Sequence, residues 1–358
     1  LLLVNKRNEL AFLGGIFLSL KLEQHFHNWV SKFVPIAFRA NKELTLDPLP
    51  GDAGFRRYFR INSQPNLIAV NSPPNKENNQ SFVSISLALQ AGNVRTPKIY
   101  AIDFKNGFML LEDLGEQLLQ PLLNHNTVDN FYEKAESLLI DMQAVSADTS
   151  VFPEYDRQSL EQELSLFKIW FVNQLLGSEL KSTDEDMLKE IYGVLTENAL
   201  CQPQGIVHRD FHSRNIMLMK SKELALIDYQ DAVIGPITYD LVSLLKDCYI
   251  GWPREMVISR ALNFKQRLQA KMIIEHVDDQ AFIRWFDLMG LQRHIKVLGI
   301  FSRLALRDNK PDYLKDLPLV VEYVMDVSNR YSDTLTFSNW FKKTIYQKFL
   351  SQNLFSQR

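Results

Sequence analysis

The stretch IVHRDFHSRNIMLMKSKELALIDYQD, residues 206–231, decides how the chain is read. Two apolar residues, Ile206 and Val207, deliver a polar cluster of His208, Asp210, His212 and Asn215. The apolar runs Ile216–Met219 and Leu224–Ile227 then carry the chain back into a core before Asp228. The pattern predicts strand, loop, strand, strand. Asp210 and Asn215 share one loop and Asp228 ends the next strand, so the three can face a common centre. Phosphoryl transfer from a nucleotide asks for such a set, one carboxylate to orient a hydroxyl and two oxygen ligands to hold magnesium. Asp210 is therefore assigned as base or orienter, and Asn215 and Asp228 as metal ligands. An acid beside two histidines and two arginines is costly to keep for packing alone. His208 reads as a buried histidine that holds the loop together.

The order His-x-Asp-x4-Asn followed by Ile-Asp is that of a kinase catalytic loop and its metal aspartate. VHRDFHSRN with IDYQDAVIGPITYDLVSLL resembles the aminoglycoside phosphotransferase and choline kinase superfamily, where Gln230 and Asp231 follow the metal aspartate and Asp240 lies on the next helix. Within it, GDAGFRRYFR (51–60), GFMLLEDLG (107–115), YDLVSLLKDCYIGWP (239–253) and MGLQRHIKVLGIFSRL (289–304) resemble the bacterial anomeric sugar kinases. That likeness runs from about residue 25 to about residue 330.

The resemblance implies an α+β fold of two lobes like that of protein kinases, with a small β-rich N-lobe and a large, mainly helical C-lobe. It implies ATP and Mg2+ as cofactors and transfer of the γ-phosphate to the C1 hydroxyl of N-acetylmuramate or N-acetylglucosamine, a product suited to peptidoglycan recycling. It places His212 near the transferring phosphate, makes Arg214 and Asp231 acceptor-site candidates, and gives Asp240 the part of a buttress that accepts loop amides. Another small-molecule kinase, acting on an aminoglycoside, choline or a different sugar, is the competing enzyme. A nucleotide-binding pseudokinase is the competing non-enzyme, and the complete set of Asp210, Asn215 and Asp228 argues against it.

Composition narrows the classes. At 358 residues with 46% apolar and 23% charged content, the chain can bury a large core and divide into two lobes. A formal net charge of −2 gives no basis for nucleic-acid binding, which rests on a clustered excess of Lys and Arg. Only Cys201 and Cys248 are present, too few for a disulfide framework or a zinc site, which suits a reducing cytoplasm. Lys6 and Arg7 before AFLGGIFLSL resemble the start of a secretory signal, but the apolar run falls short of a bilayer span and no small-x-small site follows Leu20. Residues 1–21 are thus expected to be an extension of doubtful status; for the chain as a whole the expectation is no stable membrane insertion and no obligate protein partner.

Residues 22–112 read as a nucleotide-binding lobe, 113–118 as a hinge, and 119–358 as a C-lobe carrying the catalytic loop and the acceptor site. Phe26, Trp29, Val30 and Phe33 predict a helix that stops before Pro35. Leu44–Leu49 and Phe55–Ile61 predict strands joined by Gly51, Asp52, Ala53 and Gly54, and Leu67–Asn71 a third. Glycine lets a backbone approach a phosphate with its amides exposed, so this turn is the expected cover for ATP. The third strand lacks the lysine that grips the phosphates in many kinases; Arg56, Arg57 and Lys76 are the candidates to replace it, with Arg57 counted among the cofactor residues. Glu77–Ala91 is a predicted helix with Asn75 as cap and Gly92 as stop. Ile99–Asp103 and Gly107–Leu111 predict a hairpin running into Glu112-Asp113-Leu114-Gly115. In the resembled enzymes, backbone groups of residues such as Glu112 and Leu114 read the adenine edge; the carboxylates of Glu112 and Asp113 are expected on the surface.

Apolar spacing predicts further helices over 127–145, 154–176, 184–200, Tyr239–Cys248, 253–275 and 278–307. Trp170 and Phe171 read as packing. The last helix carries Arg284, Arg293, His294, Lys296, Arg303 and Arg307, and a cationic stripe is ordinarily a solvated face. The resembled enzymes close their acceptor site with these helices, and a sugar acid needs a cation there, so Arg293 and His294 are assigned to the pocket.

Overall fold

The computed structural model describes residues 23–39, 43–50 and 54–352, so Gly51, Asp52, Ala53 and the first 22 residues lie outside the description. Five antiparallel strands, β1 (Leu46–Pro48), β2 (Arg57–Ile61), β3 (Leu67–Asn71), β4 (Ile99–Asp103) and β5 (Phe108–Glu112), form one sheet in the order β1-β2-β3-β5-β4. All five residues of β3 are buried, and their alternation explains why. Leu67 and Ala69 face helix α1 (residues 23–33) through Phe26, Trp29 and Val30; Ile68 and Val70 face α2 (Asn79–Ala91) through Phe82, Ile85 and Leu89. A strand covered on both faces reads as a continuous apolar run, as LIAVN does.

The expected cap of α2 shifts. Asn78, not Asn75, accepts the Ser81 amide at 3.0 Å. The amides of Lys76 and Glu77 are taken by the Pro73 carbonyl, so residues 75–77 form a turn before the helix. Glu77 is thereby freed to accept the Phe55 amide at 2.8 Å.

The second lobe is mainly helical, with α3 (Val128–Gln143), α4 (Arg157–Leu166), α5 (Ser182–Leu200), α6 (Tyr239–Leu245), α7 (Arg254–Ala270), α8 (Asp279–Leu306) and α9 (Leu317–Ser328). Phe167–Leu175 prolongs α4 with π-helical pitch, so the expected 154–176 helix changes pitch midway. Helix α8 runs through the middle, against α4, α5, α6, α7, α9 and the π segment. A helix enclosed on every side is buried all round. This overturns the solvated reading of its cationic stripe for three members: Arg293, His294 and Lys296 are 3%, 0% and 6% exposed.

Two two-stranded antiparallel sheets complete the lobe, β6 (Gln204–Val207) with β9 (Val233–Pro236), and the hairpin of β7 (Ile216–Leu218) with β8 (Leu224–Leu226). Strand β9 is an element the sequence pattern did not single out. Helix α6 ends three residues before the expected Cys248, because Lys246 leaves helical geometry and Asp247 is turned to another use. No helix among the described residues is long and apolar enough to cross a membrane.

Candidate active site

Strand β6 delivers the chain to His208, whose ring joins the two halves of the expected site. Its buried Nε2–H donates to the Ile227 carbonyl at 3.0 Å, and its Nδ1 accepts the Asp210 amide at 3.3 Å. Those roles require the neutral ring, and burial holds its pKa below the usual histidine value against the pull of Asp210 and Asp228. Arg209 and Asp228 adopt left-handed backbone, with φ of 74° and 64°. Such conformations persist where the surroundings over-determine them. Buried Asp240 in the first turn of α6 does this for the loop, accepting the amides of His208 at 2.5 Å and Arg209 at 3.1 Å. The expected buttress is therefore seen in its geometry. Burial raises its carboxyl to about 7 despite both amides.

A second carboxylate holds the loop from its far end. Asp247 accepts the Ser213 amide at 3.1 Å and its hydroxyl at 2.6 Å. Nothing in the local sequence marks Asp247, since its role arises only when the chain breaks from α6 and folds back.

Asp210, Asn215 and Asp228 are brought together by the backbone between them. The Ile227 amide donates to the Asn215 carbonyl at 3.1 Å, which sets the residue before Asp228 beside Asn215. The Asn215 Nδ2 donates to the Asp210 carbonyl at 3.0 Å, so its amide oxygen is the end left for a cation. Asp228 receives the Gln230 side chain on Oδ1 at 2.8 Å and keeps Oδ2. Two oxygen ligands of this kind fit magnesium, which is commonly shared between one or two side chains, water and substrate phosphates. Among the described residues there is no cluster of three or more His, Cys, Asp or Glu that would make a protein cage for a metal.

Asp210 keeps its carboxylate open to solvent. The atoms around it would raise its pKa, but nearby charges, led by Lys296 and including Arg293, hold it below the usual aspartate value. Lys296 donates to the Tyr239 hydroxyl at 2.9 Å and pairs with Glu163 at 3.0 Å. Glu163 also takes Arg209 and the Tyr155 hydroxyl. Burial would raise Glu163, yet Lys296 and Arg209 keep it ionised. The sequence placed Lys296 only on a stripe and passed over Glu163, since neither sits in a motif.

The other acceptor candidates divide. Arg293 is buried near Asp210 and Asp247, with the Cys248 sulfur at 3.3 Å as its hydrogen-bond acceptor. A guanidinium whose acceptor is a thiol still has donors for a ligand carboxylate. Arg214 lies over the Tyr249 ring, 3.5 Å from its centroid, and donates to Gln120, while His212 meets the same ring edge-on at 5.4 Å. Asp231 is exposed and linked to Asp228 through Gln230. His294 faces elsewhere: it stacks on Tyr323 and bonds the Lys246 carbonyl, away from the loop.

On the sheet side, Glu112 accepts from Arg95 and from the Lys98 amide, and Arg60 pairs with Asp113 at 2.6 Å and donates to the Gly115 carbonyl at 3.0 Å. Asp113 is thus a buried ion-pair partner and not the surface carboxylate expected. These contacts fix the exit of β5 from the sheet. Leu114 packs with Met217, Ala225 and Ile227 into a small apolar cluster beside it. Gly54 opens the described part of the second strand's approach; Arg57 turns outward to Glu23.

The sequence profile of the phosphotransferase enzyme family matches residues 45–272. The N-acetylmuramate/N-acetylglucosamine kinase of Pseudomonas putida is 37% identical over 287 residues, 80% of this chain and 84% of the relative. The N-acetylmuramate/N-acetylglucosamine kinase of Neisseria meningitidis is 33% identical over 312 residues, 86% and 91%. In fold, the chain is similar to a choline kinase of Streptococcus pneumoniae, with TM-score 0.56 and 13% identity over 86% of this chain and 99% of that one. An ADP-bound aminoglycoside phosphotransferase gives 0.55 and 14%, over 86% and 98%.

Proposed function

The chain belongs to the phosphotransferase enzyme family, and on that premise we propose that it transfers the γ-phosphate of ATP to the anomeric hydroxyl of N-acetylmuramate or N-acetylglucosamine. The observation that carries the reading is the His208 ring, which ties the Asp210 amide to the carbonyl preceding Asp228 and so unites base and metal ligands on one floor. The identity to relatives that bear these sugars in their names supports the acceptor class.

In this mechanism the Asp210 carboxylate accepts the proton of the C1 hydroxyl as the hydroxyl oxygen bonds to the γ-phosphorus and the bond from that phosphorus to the β–γ bridging oxygen breaks, releasing ADP. Asn215 Oδ1 and Asp228 Oδ2 would hold magnesium, which would supply positive charge to the nucleotide phosphates. Lys296 and Arg293 keep Asp210 ionised and ready. Arg293, with donors to spare, is the partner for the lactyl carboxylate of muramate, with His212, Arg214 and Asp231 at the rim. The ring oxygen makes C1–OH more acidic than the primary hydroxyl at C6, so one aspartate has less to do. Gly51 to Gly54 cover the phosphates, and the backbone of Glu112 and Leu114 reads adenine. Residues 22–112 form the nucleotide lobe, 113–118 the hinge and 119–358 the acceptor lobe. Such a product serves cell-wall recycling in the cytoplasm.

A sugar phosphorylated at C1 cannot open to an aldehyde. Reducing-sugar signal should disappear in step with ADP formation and return on mild acid hydrolysis. A phosphorylated product that still reduces would place the phosphate elsewhere and defeat the anomeric assignment.

A further inference from the structure

Strand β3 ends at Asn71 without a lysine, yet a cation reaches the same place from the neighbouring strand. Arg57 pairs with Asn71 across β2 and β3, so Arg56 stands just beyond the pair, and its Nε donates to the Ser72 hydroxyl at 3.3 Å. Ser72 is itself held, donating to the Asn79 side chain at 2.5 Å while its carbonyl accepts Asn79 Nδ2 at 2.9 Å. The Arg56 Nη2 pairs with Glu77 at 3.2 Å, and the guanidinium lies over the Phe82 ring, 5.3 Å from its centroid. Both charges are mostly enclosed, at 8% and 15% side-chain exposure. Glu77 is held in turn by the Phe55 amide.

The direction of this pair matters. Arg56 and Glu77 line a cavity of about 250 Å³ together with Arg209, Gln230 and Asp231. Ser81 on the same cavity donates to the Gln230 carbonyl at 3.1 Å, which ties the start of α2, beside Arg56, to the segment that follows Asp228. The other two candidates face away: Arg57 is half exposed toward Glu23, and Lys76 sits over the exposed Phe55 ring. A guanidinium has five N–H donors, and Ser72 and Glu77 use only part of them. Its planar fork matches two phosphate oxygens, which a lysine in the same place would meet as a point charge.

We propose that Arg56, braced by Glu77, grips the nucleotide phosphates in place of the lysine that the third strand lacks. This rests on the ATP reading above but not on the identity of the acceptor. The pair could instead only pin the strand to α2, and that role would affect every ligand alike.

Calorimetric affinities for ADP and adenosine, both with magnesium, separate the two. Arg56→Gln should weaken ADP by about 10- to 100-fold, the loss expected for hydrogen bonds to a charged group, and leave adenosine nearly unchanged. Arg56→Lys should restore part of the ADP affinity, and kinetic KM for ATP should follow the same order. If Arg56→Gln does not fold, Glu77→Gln carries the test, since it keeps the cation and removes its brace; ADP should again weaken more than adenosine. An unchanged ADP to adenosine ratio in these variants overturns the proposal, as does a phosphate-specific loss at Arg57→Gln or Lys76→Gln instead. Wild-type protein that binds both ligands alike would sink the ATP reading itself, whereas a wild-type preference for ADP that survives Arg56→Gln overturns the arginine alone.

Discussion

The Asp240 carboxylate accepts the His208 amide at 2.5 Å, and its second oxygen takes the amide of Arg209, the residue with left-handed backbone before Asp210. A side chain on α6 thus sets the direction in which Asp210 leaves the loop. Asp240→Asn keeps the shape but turns an NH2 group toward one of two buried amides. Leaving a buried donor unsatisfied costs about 1–3 kcal/mol. Urea unfolding should register that loss, and kcat should fall by at least about 10-fold because misplacement at the loop is amplified in the rate. Unchanged kcat in a destabilised Asp240→Asn would separate the buttress from the chemistry.

The loop was legible in the sequence because its chemistry is local: His208, Asp210, Asn215 and Asp228 sit at spacings that one loop and one hairpin bring together. Its supports were legible only in part. Asp240 follows a family pattern, but Asp247, Glu163 and Lys296 come from other elements and gain their partners only on folding. The cationic stripe misled for a physical reason. A helical face is solvated when one side of the helix is free, and α8 has no free side around Arg293. The sheet was easier, since the continuous apolar runs LIAVN and FMLLE are the burial pattern itself, each strand being covered on both faces. The cap of α2 was missed because Asn75 and Asn78 are equivalent to a propensity argument, and only the Pro73 turn chooses between them.

Close approach of α8 to the π segment gives a test of packing that is independent of function. A Cβ on Gly299 would lie 2.4 Å from the Leu166 carbonyl carbon and 2.6 Å from the Phe167 nitrogen, both backbone atoms. Gly299→Ala should therefore cost about 1–3 kcal/mol as backbone is forced apart. Gly290, one face away, has its nearest contact at an ordinary 3.5 Å from Val242. There alanine should stabilise, by up to about 1 kcal/mol, since it is the better helix former. Denaturant midpoints of the two variants should move in opposite directions.

Base and metal ligand should separate in binding measurements. Asp228→Asn replaces an anionic ligand to a hard cation by a neutral one, so magnesium-dependent nucleotide affinity should collapse together with turnover. Asp210→Asn removes the proton acceptor and leaves the ligands, so nucleotide affinity should hold while kcat falls on the order of 10²-fold or more. Calorimetry with and without magnesium reads both. Affinity lost in Asp210→Asn but kept in Asp228→Asn would exchange the two assignments.

The last prediction concerns acid stability and centres on His294. Its ring is fully buried, stacked on Tyr323 with centroids 4.6 Å apart, and Nε2–H donates to the Lys246 carbonyl at 3.1 Å. Burial first, then the charges of Lys246 and Arg293, hold its pKa well below the ordinary 6.5. The folded protein therefore keeps this ring neutral while the unfolded chain protonates it below 6.5. Stability from the group is fully present above 6.5 and lost as pH falls below it, by about 1.4 kcal/mol per pH unit. His208 works in the same direction. Asp240 works the other way, because its folded pKa is raised to about 7: its contribution is present below the unfolded value and lost as pH rises through 7. The net curve of the wild type thus mixes opposing slopes, and a difference against a variant is needed. His294→Gln loses some packing at every pH but removes one proton-linked slope. Between pH 7 and pH 5.5 the wild type should lose about 1 kcal/mol more than His294→Gln in urea unfolding. Parallel curves over that window would mean that the ring takes up its proton in the folded state, contrary to the neutral, carbonyl-bonded form seen here.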